Sequence, residues 1–131
     1  MSITFTAPFI LPRPHRDPIT TIQDSLSVCA LAVSRPLRTS LIVLMRDAQR
    51  RGVGLVSLLG ATLDDHVHDV IAACSATLDV ESLVVVESSE HPGRESVDGL
   101  DRARVACERA GLVLCDVVIL ERGSIRLRDD Q

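Results

Sequence analysis

The sequence predicts an α/β (α+β) domain, a mixed β-sheet flanked by three helices, in the order α-β-β-α-β-α-β-β. Three observations carry this. Apolar runs at 41–45, 83–86 and 113–120 have strand length and are rich in Val, Ile and Leu, the pattern of strands buried within a sheet. Segments 18–33, 66–78 and 96–110 instead repeat apolar residues at helical spacing. Proline and glycine stand at the joints, at Pro36, Gly52, Gly60, Gly93, Gly111 and Gly123.

Residues 1–18 hold four of the six prolines, which fix φ and remove backbone donors, so they form an extended arm before a single domain over 19–131. Ile3, Phe5, Phe9, Ile10 and Leu11 make this arm too apolar for a solvated tail. It is expected to dock in a groove on a second subunit, which predicts a homodimer. Asp17 as N-cap and Pro18 at the first helical position open the first helix, with Ile19, Ile22, Leu26, Cys29 and Val33 inward. Arg35 before Pro36 ends it. Strands 41–45 and 53–59 make a hairpin around the polar turn 46–52.

Helix 66–78 turns Val67, Val70, Ile71, Cys74 and Leu78 inward, with Asp64 or Asp65 available as its cap. The run 83–86 reads as a strand buried on both faces, followed by the polar loop 87–93. Ser96 can cap the third helix, whose inner face is Val97, Leu100, Ala103 or Arg104, Cys107 and Ala110, and Gly111 stops it. Strand 113–120 turns at Arg122 and Gly123 into a short last strand, 125–128. The core is expected to include Ile71, Val84, Val85, Leu100, Cys107 and Val117.

Composition narrows the function classes. Of 131 residues 46% are apolar, which excludes wholesale disorder. No apolar run approaches the ~18 residues of a membrane span, and the N-terminal residues lack a secretory leader pattern, so a cytoplasmic protein is expected. With 14 basic and 18 acidic residues the formal net charge is -4, which argues against a general nucleic-acid clamp. All the basic residues are Arg, and Trp, Tyr, Lys and Asn are absent, a skew that suggests a high-GC, bacterial coding sequence. The only aromatic residues are Phe5 and Phe9, so the core must be aliphatic and stacking platforms for single strands are missing. Cys29, Cys74, Cys107 and Cys115 form no C-x-x-C pair and sit in apolar stretches, as small buried hydrophobes of a reducing compartment would.

Several local patterns fall in one order along residues 19–129. They are Asp-Ala-Gln-Arg-Arg at 47–51, Gly-Ala-Thr at 60–62, Ser-Glu-His-Pro-Gly at 89–93, and the run from Gly111 through Asp116 to Leu120. Together they resemble the RadC-like branch of the JAB/MPN domains, a zinc isopeptidase-type fold. The resemblance implies a site of two histidines at H-x-H, an aspartate three residues after a serine, and a glutamate acting as general base on zinc-bound water. Here His91 falls at the second histidine and Ser89 at the first. The glutamate's place falls near Ser57, in a strand without an acid. Asp98 and Asp101 are the candidates for the aspartate, with Ser96 as the serine. The resemblance therefore implies a catalytically inactive JAB/MPN-like domain that serves as a protein-binding or assembly module, with no cofactor. The alternative is a zinc-dependent hydrolase with a rearranged site, holding the metal on His91 with Asp98 or Asp101, and on His66 or His68. A DNA-repair accessory is the second alternative. The zinc deaminases are excluded by their missing signature.

Other residues have plainer readings. His66 and His68 make a second H-x-H, but at a helix start side chains two apart diverge, and the flanking acids suit the helix dipole. Glu87 and Glu90 flank His91 and are placed to raise its pKa. Asp116 alternates with Leu114, Val118 and Leu120, so a hydrogen-bonded partner is expected if it is buried. Arg46, Arg50 and Arg51 read as a solvated hairpin tip rather than a phosphate site.

Overall fold

The computed structural model describes residues 14–30, 38–89, 98–121 and 124–128. Most of the apolar arm, Val33, the Arg35-Pro36 break, Glu90, His91, Pro92, Gly93, Ser96, Val97, Arg122 and Gly123 lie outside the described residues. The described chain is an α+β unit running α1 (Ile22–Cys29), β1 (Ser40–Arg46), β2 (Gly52–Leu59), α2 (Leu63–Ser75), β3 (Ser82–Ser88), α3 (Gly99–Arg109), β4 (Val113–Glu121) and β5 (Ser124–Leu127). The strands form one mixed sheet in the order β2-β1-β3-β4-β5. β1 pairs antiparallel with β2 and β3, β3 pairs parallel with β4, and β4 pairs antiparallel with β5. No described helix is long and apolar enough to cross a membrane.

The continuous apolar runs became the central strands because both faces of the sheet are covered there. Every residue of β1 and of β3 is buried. Leu41, Val43, Met45, Leu83 and Val85 pack under Leu63, Val70 and Cys74 of α2 and Leu100, Ala103 and Cys107 of α3. Ile42, Leu44, Val84 and Val86 face the other way, under Leu26 and Cys29 of α1. The expected core residues Val84, Val85, Leu100, Cys107 and Val117 are buried, while Ile71 is only half-buried.

Helix ends differ from the sequence expectation in informative ways. α1 starts at Ile22, with Thr21 as its N-cap accepting from the Asp24 backbone N–H at 3.0 Å. Asp17 and Pro18 do not open it. Pro18 is extended and bridges Arg51, because the chain here lies along the start of β2. α2 begins at Leu63, with Thr62 rather than an aspartate at the cap position. Its inward stripe starts one turn earlier than the periodicity suggested, with Leu63 fully buried. Leu78 then falls beyond the helix end and is 85% exposed. α3 ends as expected: Gly111 takes φ +78, its N–H bonds to Glu108, and the Leu112 N–H bonds back to Cys107. This is a Schellman closure, which needs a left-handed residue at that point. Ala110 is the C-cap and is exposed, not inward.

β4 holds one irregularity that alternation could not show. Leu83 pairs with Leu114 but Val84 pairs with Asp116, so Cys115 is an extra residue, a β-bulge in a parallel pair. Leu114, Val117 and Ile119 therefore share the α2/α3 face, while Val118 and Leu120 face α1. Asp116 does not share a face with Leu114. It is half-buried beside Val118 and Leu120.

Candidate functional site

The carboxyl ends of β2, β3 and β4 lie at one edge of the sheet, where α2 and α3 also begin. In open α/β sheets this edge is where ligands gather. The sequence-predicted residues that the structure describes fall here, but apart from one another. Asp98 is the N-cap of α3, 69% exposed, with Arg102 at 3.7 Å one turn along the helix. Asp101 is exposed in the first turn of α3. Ser89 follows β3, its N–H bonded to the Leu120 carbonyl. Ser57 is exposed on β2. The His66 ring lies back on its own helix start, with Nδ1 3.1 Å from the Thr62 carbonyl and 3.3 Å from the Thr62 nitrogen. Its backbone is non-helical there (φ -126, ψ 20), which kinks the first turn. His68 is exposed two residues on. His91, the remaining candidate, lies outside the described residues. Among the described residues, no three of His, Cys, Asp and Glu gather into a group that could hold a metal. A hydroxyl at Ser89 in the first histidine's place is a poor zinc ligand. Asp98, engaged by Arg102, and exposed Asp101 stand on the helix rather than around a common point. This donor set does not fit the zinc of the resembling family.

The same edge holds a buried charge cluster drawn from three elements. Arg128, just past β5, is 6% exposed and Glu87 of β3 is 7% exposed. The Arg128 guanidinium Nη1 lies 2.8 Å from the Asp64 carboxylate of α2 and 3.9 Å from that of Glu87. Glu87 falls on the α2/α3 face because it continues the Leu83–Val85 alternation. The backbone N–H of Arg128 bonds to Val117 across from the same face. Asp64 reaches the cluster from the first turn of α2, where a carboxylate also suits the helix dipole. Two acids thus share one guanidinium, with little access to water. On the α1 face of this edge the Ser40 and Ser88 hydroxyls are 2.7 Å apart, and Ser88 donates to the Arg38 carbonyl at 2.6 Å.

The sequence reading missed this cluster. From sequence alone Asp64 is a candidate helix cap, Glu87 a neighbour of His91, and Arg128 a strand end. A usable signal was present: an acid directly ends the run 83–86, and an arginine sits on the inward register of the last strand.

At the opposite edge, the expected arginine cluster resolves into different jobs. Arg46 is 3% exposed, not solvated, and donates to the Ile19 carbonyl at 2.7 Å and to Ser82 Oγ at 3.2 Å. Asp47 accepts the backbone N–H groups of Gln49 and Arg51 on one oxygen and Arg51 Nε on the other, each at 2.9 Å. Burial pushes the Asp47 carboxyl up, but the hydrogen bonds and charge of Arg51, with the Gln49 N–H, outweigh it and hold it below the usual carboxylate range. An open hollow of about 520 Å³ lies beside this turn, lined by Asp47, Arg51, Thr77, Asp79, Glu81 and Leu112.

Beyond these clusters, β2 is an open edge. It is the outermost strand, and past Gly52 no described strand pairs with its outer side. Leu55, Ser57 and Leu59 pair with Leu44, Ile42 and Ser40, so they share the α1 face. α1 packs chiefly on β1 and β3. Leu55 is 38% exposed and Leu59 is 67% exposed.

No family model matches the chain, and the search of curated proteins finds no match.

Proposed function

We propose that this chain is a catalytically inactive, JAB/MPN-like domain that works as a protein-binding or assembly module, and that the outer edge of β2 is its binding element. The observation that carries this reading is the apolar edge strand β2, on whose α1 face Leu55 is 38% and Leu59 67% exposed. Such an edge offers a row of backbone donors and acceptors to an incoming strand, and proteins that do not use it blunt it with charge or proline. β2 carries neither between Gly52 and Leu59. The state of the acids at the carboxyl edge supports the non-catalytic half of the proposal. Asp64 and Glu87 are engaged by Arg128, and Asp98 by Arg102.

Replacing Leu55 and Leu59 with lysine in the full chain tests the proposal. The expected result is a folded protein that has lost its assembly, read as mass in solution and as capture of its partner. An unchanged assembly state would show that β2 is not the binding element. Metal analysis tests the other half: near-stoichiometric zinc that disappears in His91→Ala would overturn the inactive reading in favour of the hydrolase. Salt-sensitive binding to duplex DNA would do so in favour of a DNA-repair role.

A further inference from the structure

We infer that residues 9–13 of this same chain pair with the outer side of β2, and that a partner's strand reaches this edge only by displacing them. The inference rests on the reading of β2 as the binding element and adds what regulates that element. Three observations lead to it.

The first is the course of the described chain. The Ile19 N–H bonds to the Arg50 carbonyl, Pro18 bridges Arg51 in antiparallel sense, and the His15 N–H bonds to the Gly52 carbonyl. Followed towards the N-terminus, these contacts step forward along β2, from residue 50 to residue 52. His15 takes a φ of 62, the left-handed value with which a bulge absorbs extra residues in one strand of a pair. Up to His15, then, the chain lies against the start of its own β2.

The second is the placing of the prolines. The His15 N–H faces β2, and strand N–H groups alternate in direction, so in a continued strand those of Arg13, Leu11 and Phe9 face β2 as well. Pro14, Pro12 and Pro8 all fall on the opposite parity, where an N–H would point to solvent and none is needed. Proline on that side also stops a further strand from adding, which is the protection that β2 lacks in its own sequence.

The third is apolar match and length. Residues 8–12 are Pro-Phe-Ile-Leu-Pro, apolar on both parities, as suits a strand with apolar neighbours on both faces. β2 offers such neighbours: Leu55 and Leu59 are exposed on the α1 face, and Val56 and Leu58 are half-buried on the other. β2 has 8 residues, the number from Pro8 to His15, so the segment reaches the end of the strand with no linker to span. Joined directly to the pairing at His15, it competes at an effective concentration on the order of millimolar, which an incoming strand has to exceed.

Hydrogen exchange of the full chain, read by nuclear magnetic resonance, tests this. The Gly60 N–H bonds to the Thr39 carbonyl, so by alternation the amides of Leu58 and Val56 face β1, while those of Leu55, Ser57 and Leu59 face outward. In the parent protein these three outward amides should be protected, equally at low and high protein concentration. Leu11→Pro removes a donor facing β2 and should abolish that protection, whereas Ile10→Pro, on the other parity, should keep it. A synthetic peptide of residues 8–15 should then shift the three amide resonances of the Leu11→Pro chain at a concentration at least about tenfold lower than for the parent, where the resident strand competes. Unprotected amides in the parent, or equal loss in both proline variants, overturn the pairing within one chain. Protection that grows with protein concentration hands the strand to a second copy and overturns it too. A peptide that leaves the Leu11→Pro resonances unmoved overturns β2 as the binding element, and with it the competition, while the protection pattern still decides the pairing.

Discussion

Arg128 is the residue on which most buried charge depends. Its guanidinium lies 2.8 Å from Asp64 and 3.9 Å from Glu87, with little water access to any of the three. Removing one member leaves the others charged in a low-dielectric interior. Arg128→Met should therefore lower unfolding free energy by about 3–5 kcal/mol in urea titrations. The triple replacement Arg128→Met, Asp64→Leu, Glu87→Leu should recover most of that loss, because nothing charged is then stranded. A single variant no worse than the triple one would mean that the cluster is solvated. Asp47 makes a complementary case at the hairpin. Its folded pKa lies below the ordinary value of about 3.9, so its contribution is present above that pH and is lost as pH falls through the folded value. Asp47→Asn should thus destabilise at neutral pH, and the gap from the parent protein should close in acid. A gap that stayed constant with pH would show that the Arg51 contact is not electrostatic.

Among the elements, strands were the more legible part. The run 83–86 is apolar throughout, and 113–120 is apolar but for Asp116, because both faces of β3 and most of β4 are covered, and this shows without any knowledge of partners. Helix starts were less legible, because two capping signals lay close together. Asp17-Pro18 and Thr21 both suit a helix start, and the choice was made by Pro18 lying along Arg51, a contact with a residue 33 positions away. The Cys115 bulge was not legible for the same reason: a register shift is a property of two strands. The site was less legible still, since Asp64, Glu87 and Arg128 each look ordinary until three elements bring them together. Within α3 the inward stripe was clear, and it gives a direct test. Leu100 is 1% exposed in the layer over β3 and β4, so Leu100→Ala should cost about 2–5 kcal/mol by leaving a cavity. Thermal and urea unfolding would measure it, and a near-neutral change would show that α3 is not packed as described. Gly111 ends the same helix at φ +78 with open space where a Cβ would go. Gly111→Ala should cost about 1–2 kcal/mol from backbone strain alone, without a steric term.

The molecule as a whole is unevenly layered about β1 and β3. On one face lie α2 and α3, 13 and 11 residues long, packed on each other and on the sheet. On the other lies α1, the one described helix of that face, with 8 residues, and there Leu55 and Leu59 of β2 are exposed. The described α1 layer is one helix of 8 residues against two longer ones, and fewer described apolar side chains pack in it, so it should open at lower free energy than the α2/α3 layer. Cysteines report on each. Burial pushes the Cys29 thiol under α1 up to about 12. Burial, with the neighbouring Cys107, pushes Cys74 up to about 11, and burial with Glu108 raises Cys107. None supplies thiolate in the closed state, so reaction with a thiol reagent requires each layer to open. In urea below the main transition, Cys29 should react first, and Cys74 and Cys107 should react later and at one common rate. Peptide mapping after timed alkylation reads the three rates. If all three cysteines react together, the two faces unfold as one cooperative unit and the uneven layering has no energetic consequence.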